Sequence, residues 1–505
     1  MKKNNFFACA LILSIGGVLA KIFSAIYRIV LTRILGGEGI GLYQLVFPLY
    51  SLCVVLATAG LPMAISKVIS RNKNCQAQIV KRCIAATSLI SLVIAFVLIV
   101  CCKPLATLQG AKEIWICYLI LAPTIIIISA SSVLRGYFQG IGYFSPSTIS
   151  TSIEQFVKLV VGLILCSVLI KISVFVAIIG AMIAIVASEL ISLLVLLICF
   201  KRNPPTSANS CEAVSLKQIA KDVLPITLTN VILPISSFVD SLLVVNLLAI
   251  NFSKNMSIFM YGVESGAVAS LVGLPTIFSF AIASVLLPSL AGNEHIFNKT
   301  YKLALGLKIV LIITIPCVIC FLLFPNRLIE ILYSNNLSGF GVEGLNIAFR
   351  LLAISGLGVV FLAINQLYSS CLQAIDKRFA TIRNLSIAVG VKFVIELIFL
   401  PSVAVNIYAL AVGNVACYLT AMILNHLEIK YSFPLKFDYL FMCKLLLCNA
   451  VMLTTLIFAM NLTNSTICAT MGFLLGAVMY LFSLFAFKIF GSKDIAMIKY
   501  KTIVH

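Results

Sequence analysis

Apolar residues run in long blocks along this chain, and polar residues gather in the short gaps between them. The blocks are continuous rather than alternating, and many approach or exceed the roughly 20 residues a helix needs to cross hydrocarbon. Only helices and closed barrels satisfy every backbone group in lipid, and unbroken apolar runs select helices. The pattern predicts an all-α polytopic membrane protein. Its helices are expected near 6–32, 42–69, 83–103, 114–138, 147–170, 174–199, 219–250, 257–290, 303–324, 344–373, 382–400, 404–427, 438–460 and 465–487, about fourteen crossings. The opening Met1-Lys2-Lys3-Asn4-Asn5 and its apolar run imitate a secretory signal. The run has no convincing small-x-small cleavage site and continues past Lys21 to about Val30, so it reads as an uncleaved first helix.

Composition agrees. The chain is 62% hydrophobic and 10% charged, too little charge for the surface of a soluble protein of 505 residues. Most of the seventeen cysteines lie singly inside apolar runs, where they act as small buried hydrophobes. The one C-x-x-C, Cys317 and Cys320, sits mid-span without a His or acid beside it. No metal or other cofactor is expected.

The net charge of +20 changes the picture only through its distribution. With an even number of helices, both ends of the chain share one side. On that side lie Lys2, Lys3, Lys67, Arg71, Lys73, Lys81, Arg82, Lys201, Arg202, Lys217, Lys221, Lys299, Lys302, Lys308, Lys377, Arg378, Arg383, Lys430, Lys436, Lys444, Lys488, Lys493, Lys499 and Lys501. Those 24 basic residues stand against six on the other side, namely Arg33, Lys103, Lys112, Lys171, Lys254 and Arg327. The positive-inside rule then places both termini in the cytoplasm. The charge is a topology signal, and nucleic acid is not expected as a partner.

The longest polar stretch, from Lys201-Arg202-Asn203-Pro204-Pro205 through Lys217, divides six helices from eight. A repeat supports the division. Gln139-Gly-Ile-Gly-Tyr-Phe leads to Phe156-Val157-Lys158, and Gln373-Ala-Ile-Asp-Lys-Arg leads to Gly390-Val391-Lys392 at the same offset. Both copies run from a cytoplasmic turn outward, so the repeat is parallel. The expected organisation is an N-lobe over 1–200, a cytoplasmic linker over 201–218, a C-lobe over 219–430, and two further helices with a tail over 431–505.

A charge at the centre of a spanning helix costs roughly 2.5–3.5 kcal/mol, so each one is a functional candidate. The basic residues within or near the ends of spans are Lys21, Arg28, Arg135, Lys158, Arg350 and Lys392; the acids are Glu154, Glu189, Asp240, Glu264 and Glu396. Glu154 with Lys158, and Lys392 with Glu396, have the i,i+4 spacing of a structural ion pair. Lys21 and Arg28 are two helical turns apart on one face of a helix without an acid, so their countercharge must come from another helix or from a ligand. A cationic first lobe suits an anionic substrate group held by phosphate oxygens. Asp240, Glu264 and Glu396 are candidates for a coupling cation, although neutralisation across the lobes also accounts for them.

Residues 16–71 carry a more specific pattern. Gly16-Gly17-Val18-Leu19-Ala20-Lys21-Ile22-Phe23 is followed by Tyr27-Arg28, Thr32-Arg33-Ile34-Leu35-Gly36, Glu38-Gly39-Ile40-Gly41-Leu42-Tyr43-Gln44 and Ala59-Gly60-Leu61-Pro62. With Arg135-Gly136-Tyr137-Phe138-Gln139-Gly140, Pro146, Glu154-Gln155, Leu274-Pro275, Pro288 and Gln373, the chain closely resembles the polysaccharide-biosynthesis and stage V sporulation protein B branch of the multidrug/oligosaccharidyl-lipid/polysaccharide flippase superfamily. The resemblance implies a V-shaped pair of lobes working by alternating access in a bacterial cytoplasmic membrane. It also implies a lipid-linked substrate of the undecaprenyl-pyrophosphate saccharide type, with membrane lipids and cell-envelope biosynthesis enzymes as partners. Lys21, Arg28, Lys67 and Arg135 match the family's basic positions. With Lys158 and Lys392 they form the expected pyrophosphate-binding set in a central cavity. The energy source is expected to be the membrane potential or a Na+ or H+ gradient, as no G-x-x-x-x-G-K-[ST] motif is present. The rival reading is a cation-coupled multidrug exporter of the same superfamily. A membrane glycosyltransferase is disfavoured by the short external loops, and the chain is not expected to be an enzyme.

Overall fold

The computed structural model describes residues 3–72, 75–205, 216–291, 295–333, 341–435, 438–462 and 466–489. Residues 206–215, most of the expected linker, and the tail after 489 lie outside the described residues. The regular structure described is helical throughout. In the first half it comprises α1 (Lys3–Thr58), α2 (Leu61–Arg71), α3 (Gln76–Leu108), α4 (Trp115–Gly140), α5 (Ser145–Leu169) and α6 (Val174–Arg202). The second half holds α7 (Leu216–Leu248), α8 (Lys254–Gly262), a π-helical turn (Val263–Val268), α9 (Ala269–Ala291), α10 (Ile296–Leu323), α11 (Pro325–Tyr333), α12 (Gly341–Ala374), α13 (Arg378–Phe399) and α14 (Tyr408–Lys430). The chain closes with α15 (Tyr439–Leu462) and α16 (Thr466–Ala486).

Among the described residues, twelve helical stretches are long and apolar enough to cross a membrane. The first, 16–71, contains two of the expected crossings. They are separated at Gly36, whose φ of 71° and ψ of −176° interrupt α1 and favour glycine. The expected crossing at 382–400 is α13, which Arg383, Lys392 and Glu396 make more polar than the rest. The fourteen expected crossings are therefore all helical. The second is broken again at Gly60, φ 79°, where Leu61-Pro62 starts α2. Local chemistry fixes other starts: Ser173 accepts from the Val176 amide to cap α6, and Ser253 from the Met256 amide to cap α8.

α5 packs on α1 and α6 much as α13 packs on α7 and α14, so the repeat read from Lys158 and Lys392 corresponds to like helices in two like lobes. α15 and α16 pair with each other and touch the C-lobe through α10 and α11. Lys308 on α10 meets Asp438 at 2.9 Å before α15, and its hydrogen bond holds that carboxyl below the usual carboxylate range.

The lobes meet near the Gly36 turn, on the side away from the lysine-rich loops. Gly37 and Gly41 of α1 cross Gly262 of α8 so closely that a Cβ on Gly262 would stand 2.3 Å from the Gly37 carbonyl oxygen and 2.6 Å from the Gly41 Cα. Backbone cannot yield there. Gly262→Ala is expected to lower the melting temperature in detergent, by roughly 1–3 kcal/mol of overpacking. Gly273→Ala, where a Cβ meets nothing within 4 Å, should not. The same side is tied by Gln109, whose Nε2 donates to the Leu45 carbonyl at 2.9 Å and to Ser241 Oγ at 2.8 Å, while Tyr118 Oη donates to its Oε1 at 2.5 Å.

Candidate functional site

Between the lobes lies a cavity of about 400 Å³, walled by α1, α7, the π-helical turn, α13 and α14. Its polar lining includes Arg28 and Gln44 from the first lobe and Ser236, Asp240, Glu264, Lys392 and Asn414 from the second. Pro48 and Pro234 also line it, so a proline interrupts the hydrogen-bond ladder of one wall helix from each lobe.

The C-lobe charges form a closed cluster. Lys392 Nζ donates to Asp240 Oδ2 at 2.5 Å and to Ser236 Oγ at 3.4 Å, and lies 3.7 Å from Glu396 Oε1, one turn along its own helix. Lys392 and Glu396 show the i,i+4 pairing that the spacing suggests; Asp240, reaching in from α7, does not follow from spacing. Glu264 sits in the π-helical turn, a geometry that often marks functional sites. Its Oε1 accepts from Ser355 Oγ at 2.8 Å, while its Oε2 is buried without a hydrogen-bond partner. Three carboxylates thus face one ammonium in this lobe.

In the first lobe the i,i+4 expectation for Glu154 and Lys158 gives way to a tertiary partner. Arg135 Nη2 donates to Glu154 Oε2 at 2.7 Å and to Ser192 Oγ at 3.0 Å, and Arg135 Nε to Ser150 Oγ at 3.4 Å. A guanidinium crossing from α4 outcompetes the neighbouring ammonium because its fork engages a carboxylate and two hydroxyls together. Lys158 turns instead toward Tyr27 and Phe47, its Nζ 5.3 Å from each ring centroid. Phe47 itself lines the cavity, so Lys158 stands behind the wall that Arg28 faces. Lys21 lies 3.5 Å over the Phe280 ring of α9, a cation–π contact joining the two lobes.

Of the six basic residues expected to hold pyrophosphate, the structure brings Arg28 and Lys392 to one cavity with Lys158 behind it. Lys21 stands apart from the lining at the α1–α9 contact. Arg135 is engaged within its own lobe, and Lys67 is exposed on α2. Arg350 is exposed as well. Gln44, which the sequence marks only as the end of the 38–44 motif, donates from Nε2 to the Ser265 carbonyl at 2.8 Å, fastening α1 to the π-helical turn beside Glu264. Among the described residues, no three His, Cys, Asp or Glu side chains converge as a metal site.

Two lobes of six crossings thus enclose a central charged cavity. The structure of the lipid II flippase MurJ in an inward closed conformation superposes with a TM-score of 0.70, covering 98% of this chain and 100% of that one at 18% identity. An inward-facing multidrug resistance MATE family transporter of the MOP superfamily gives 0.61, covering 85% and 99% at 16% identity. At such identities the likeness concerns the fold. The polysaccharide biosynthesis protein family matches residues 7–294, and the chain belongs to that family. Stage V sporulation protein B of Bacillus subtilis (strain 168) is 28% identical over 66% of this chain and 68% of its own length. Lipid II flippase MurJ of the same organism is 23% identical over 84% and 83%.

Proposed function

We propose that this chain is a flippase that carries a lipid-linked saccharide of the undecaprenyl-pyrophosphate type across the bacterial cytoplasmic membrane by alternating access. The observation that carries this reading is the Arg28 guanidinium. It lines the interlobe cavity from the part of α1 before Gly36, which holds no acid, while the acids of the opposite wall contact Lys392 and Ser355. A fork of donors free to turn into such a cavity suits a diphosphate. Lys158 behind Phe47 adds positive potential on the same side. The relatives named for lipid II flipping and sporulation support a cell-envelope precursor as the cargo, peptidoglycan or another polysaccharide, supplied and consumed by cell-envelope enzymes. The basic loops orient both termini to the cytoplasm.

A cation-coupled drug exporter remains the second reading, since the MATE fold is shared. The share of the chain covered favours the first: 98% for the flippase structure against 85% for the exporter.

The drive is assigned to the membrane potential. An inside-negative potential assists outward movement of a diphosphate by roughly 2.3 kcal/mol per charge per 100 mV. Asp240, Glu264 and Glu396 outnumber Lys392, and a proton or Na+ taken up among them on the outer side moves inward on the return step, in the direction the same potential favours.

The test is binding of undecaprenyl pyrophosphate to purified protein, measured by native mass spectrometry. Retention that inorganic pyrophosphate competes away supports the reading. Retention of a lipophilic cation in its place favours the exporter.

A further inference from the structure

Away from the central cavity, an open pocket of about 390 Å³ is lined by Ile296, Lys299, Ile375, Lys377, Ser432 and Phe433. It lies where the start of α10, the α12–α13 turn and the chain after α14 converge, all on the lysine-rich side. The turn is set by Asp376 at φ 60° and by the Lys377 amide donating to the Leu372 carbonyl at 2.9 Å. Lys377 Nζ donates to Ser432 Oγ at 3.2 Å. Two acids are near, the exposed Asp376 of the turn and Glu428, which lies 4.0 Å from Lys377 and whose other oxygen accepts from Arg383. With Lys299 and Arg383 the local balance is positive.

The flanks of the pocket are apolar and open. Phe297 is 73% exposed, Phe379 75% and Tyr431 88%, each next to or within three residues of a lining residue. Large rings exposed at the level of lysines mark the headgroup zone of a bilayer, where rings and long cationic side chains are both favoured. A soluble phosphate would use the two ammonium groups and the hydroxyl but leave the rings in water. A phospholipid uses both.

We propose that this pocket binds the phosphate of an anionic phospholipid of the cytoplasmic leaflet, gripped by Lys299, Lys377 and Ser432 while its acyl chains lie along the exposed rings. This site is separate from the transport cavity and stands whether or not the chain is a flippase. Basic pockets on the cytoplasmic side, in the negative surface potential of that leaflet, take anionic headgroups.

The test uses the full-length protein in detergent, with native mass spectrometry counting retained dioleoylphosphatidylglycerol and dioleoylphosphatidylcholine. The wild type is expected to retain the phosphatidylglycerol preferentially, and Lys299→Gln with Lys377→Gln to weaken that retention by about tenfold. Lys430→Gln, an exposed lysine at the end of α14, should leave it unchanged. Glu428→Gln removes the acid nearest the Lys377 ammonium and should strengthen retention, an effect that misfolding would not produce. Equal retention of the two lipids, or loss with Lys430→Gln equal to that of the double variant, would overturn the proposal. Displacement of the lipid by millimolar glycerol 3-phosphate would also overturn it, making the site one for soluble phosphate.

Discussion

Arg28→Ala is expected to weaken binding of undecaprenyl pyrophosphate by about 10- to 100-fold, the range for losing charge-assisted hydrogen bonds of roughly 1.5–3 kcal/mol. Arg28 faces the cavity, so truncation removes donors without stranding a buried carboxylate, and stability should change little. That separation distinguishes Arg28 from Arg135. Arg135→Ala would leave Glu154 buried without its 2.7 Å partner and is expected to act on folding. Arg28→Lys keeps the charge and loses the planar fork, so it should recover part of the affinity and not all of it. The readout is the dissociation constant beside the melting temperature for each variant.

Lys392→Met is expected to have the largest effect on stability. It leaves Asp240 and Glu396 buried with neither their 2.5 Å nor their 3.7 Å contact, and breaking a buried pair in this way costs about 3–5 kcal/mol. Adding Asp240→Asn and Glu396→Gln to Lys392→Met should restore most of the loss, because the uncompensated charges go with the lysine. A triple variant that folds yet no longer responds to membrane potential or ion gradients would assign the cluster to coupling. A triple variant with wild-type transport would make the cluster structural. Thermal unfolding in detergent measures the first effect, and vesicles with an imposed gradient measure the second.

Much of this architecture is legible in the sequence because lipid leaves few alternatives. Continuous apolar runs must be helices, and the lysine asymmetry orders them. The break at Gly36 is legible as well, since the apolar pattern lapses between 32 and 42. The short α11 escapes the pattern because nine residues of mixed polarity carry no spanning signal. Side-chain partners were harder. Spacing pairs Lys392 with Glu396 because both lie on one helix, but it also suggests Glu154 with Lys158, where a guanidinium from α4 intervenes. Asp240 was visible as a buried acid, yet its reach to Lys392 depends on α7 packing against α13. Gln109 carries no signal in the sequence, and Gln44 is marked there only as the end of the 38–44 motif, with no hint of its partner. An amide near a loop becomes informative only when its carbonyl and hydroxyl partners come from elements distant in sequence. The contact of Lys21 with Phe280 is of the same kind, set by how the lobes meet.

The most direct test is transbilayer movement in liposomes carrying labelled undecaprenyl-pyrophosphate saccharide, with wild type and Arg28→Ala compared at equal reconstitution. Label is expected to cross the bilayer with wild-type protein, faster under a potential negative on the cytoplasmic side, and Arg28→Ala is expected to abolish the movement while remaining folded. Movement at the wild-type rate in Arg28→Ala, or none with the wild type under any imposed potential or Na+ or H+ gradient, would contradict it.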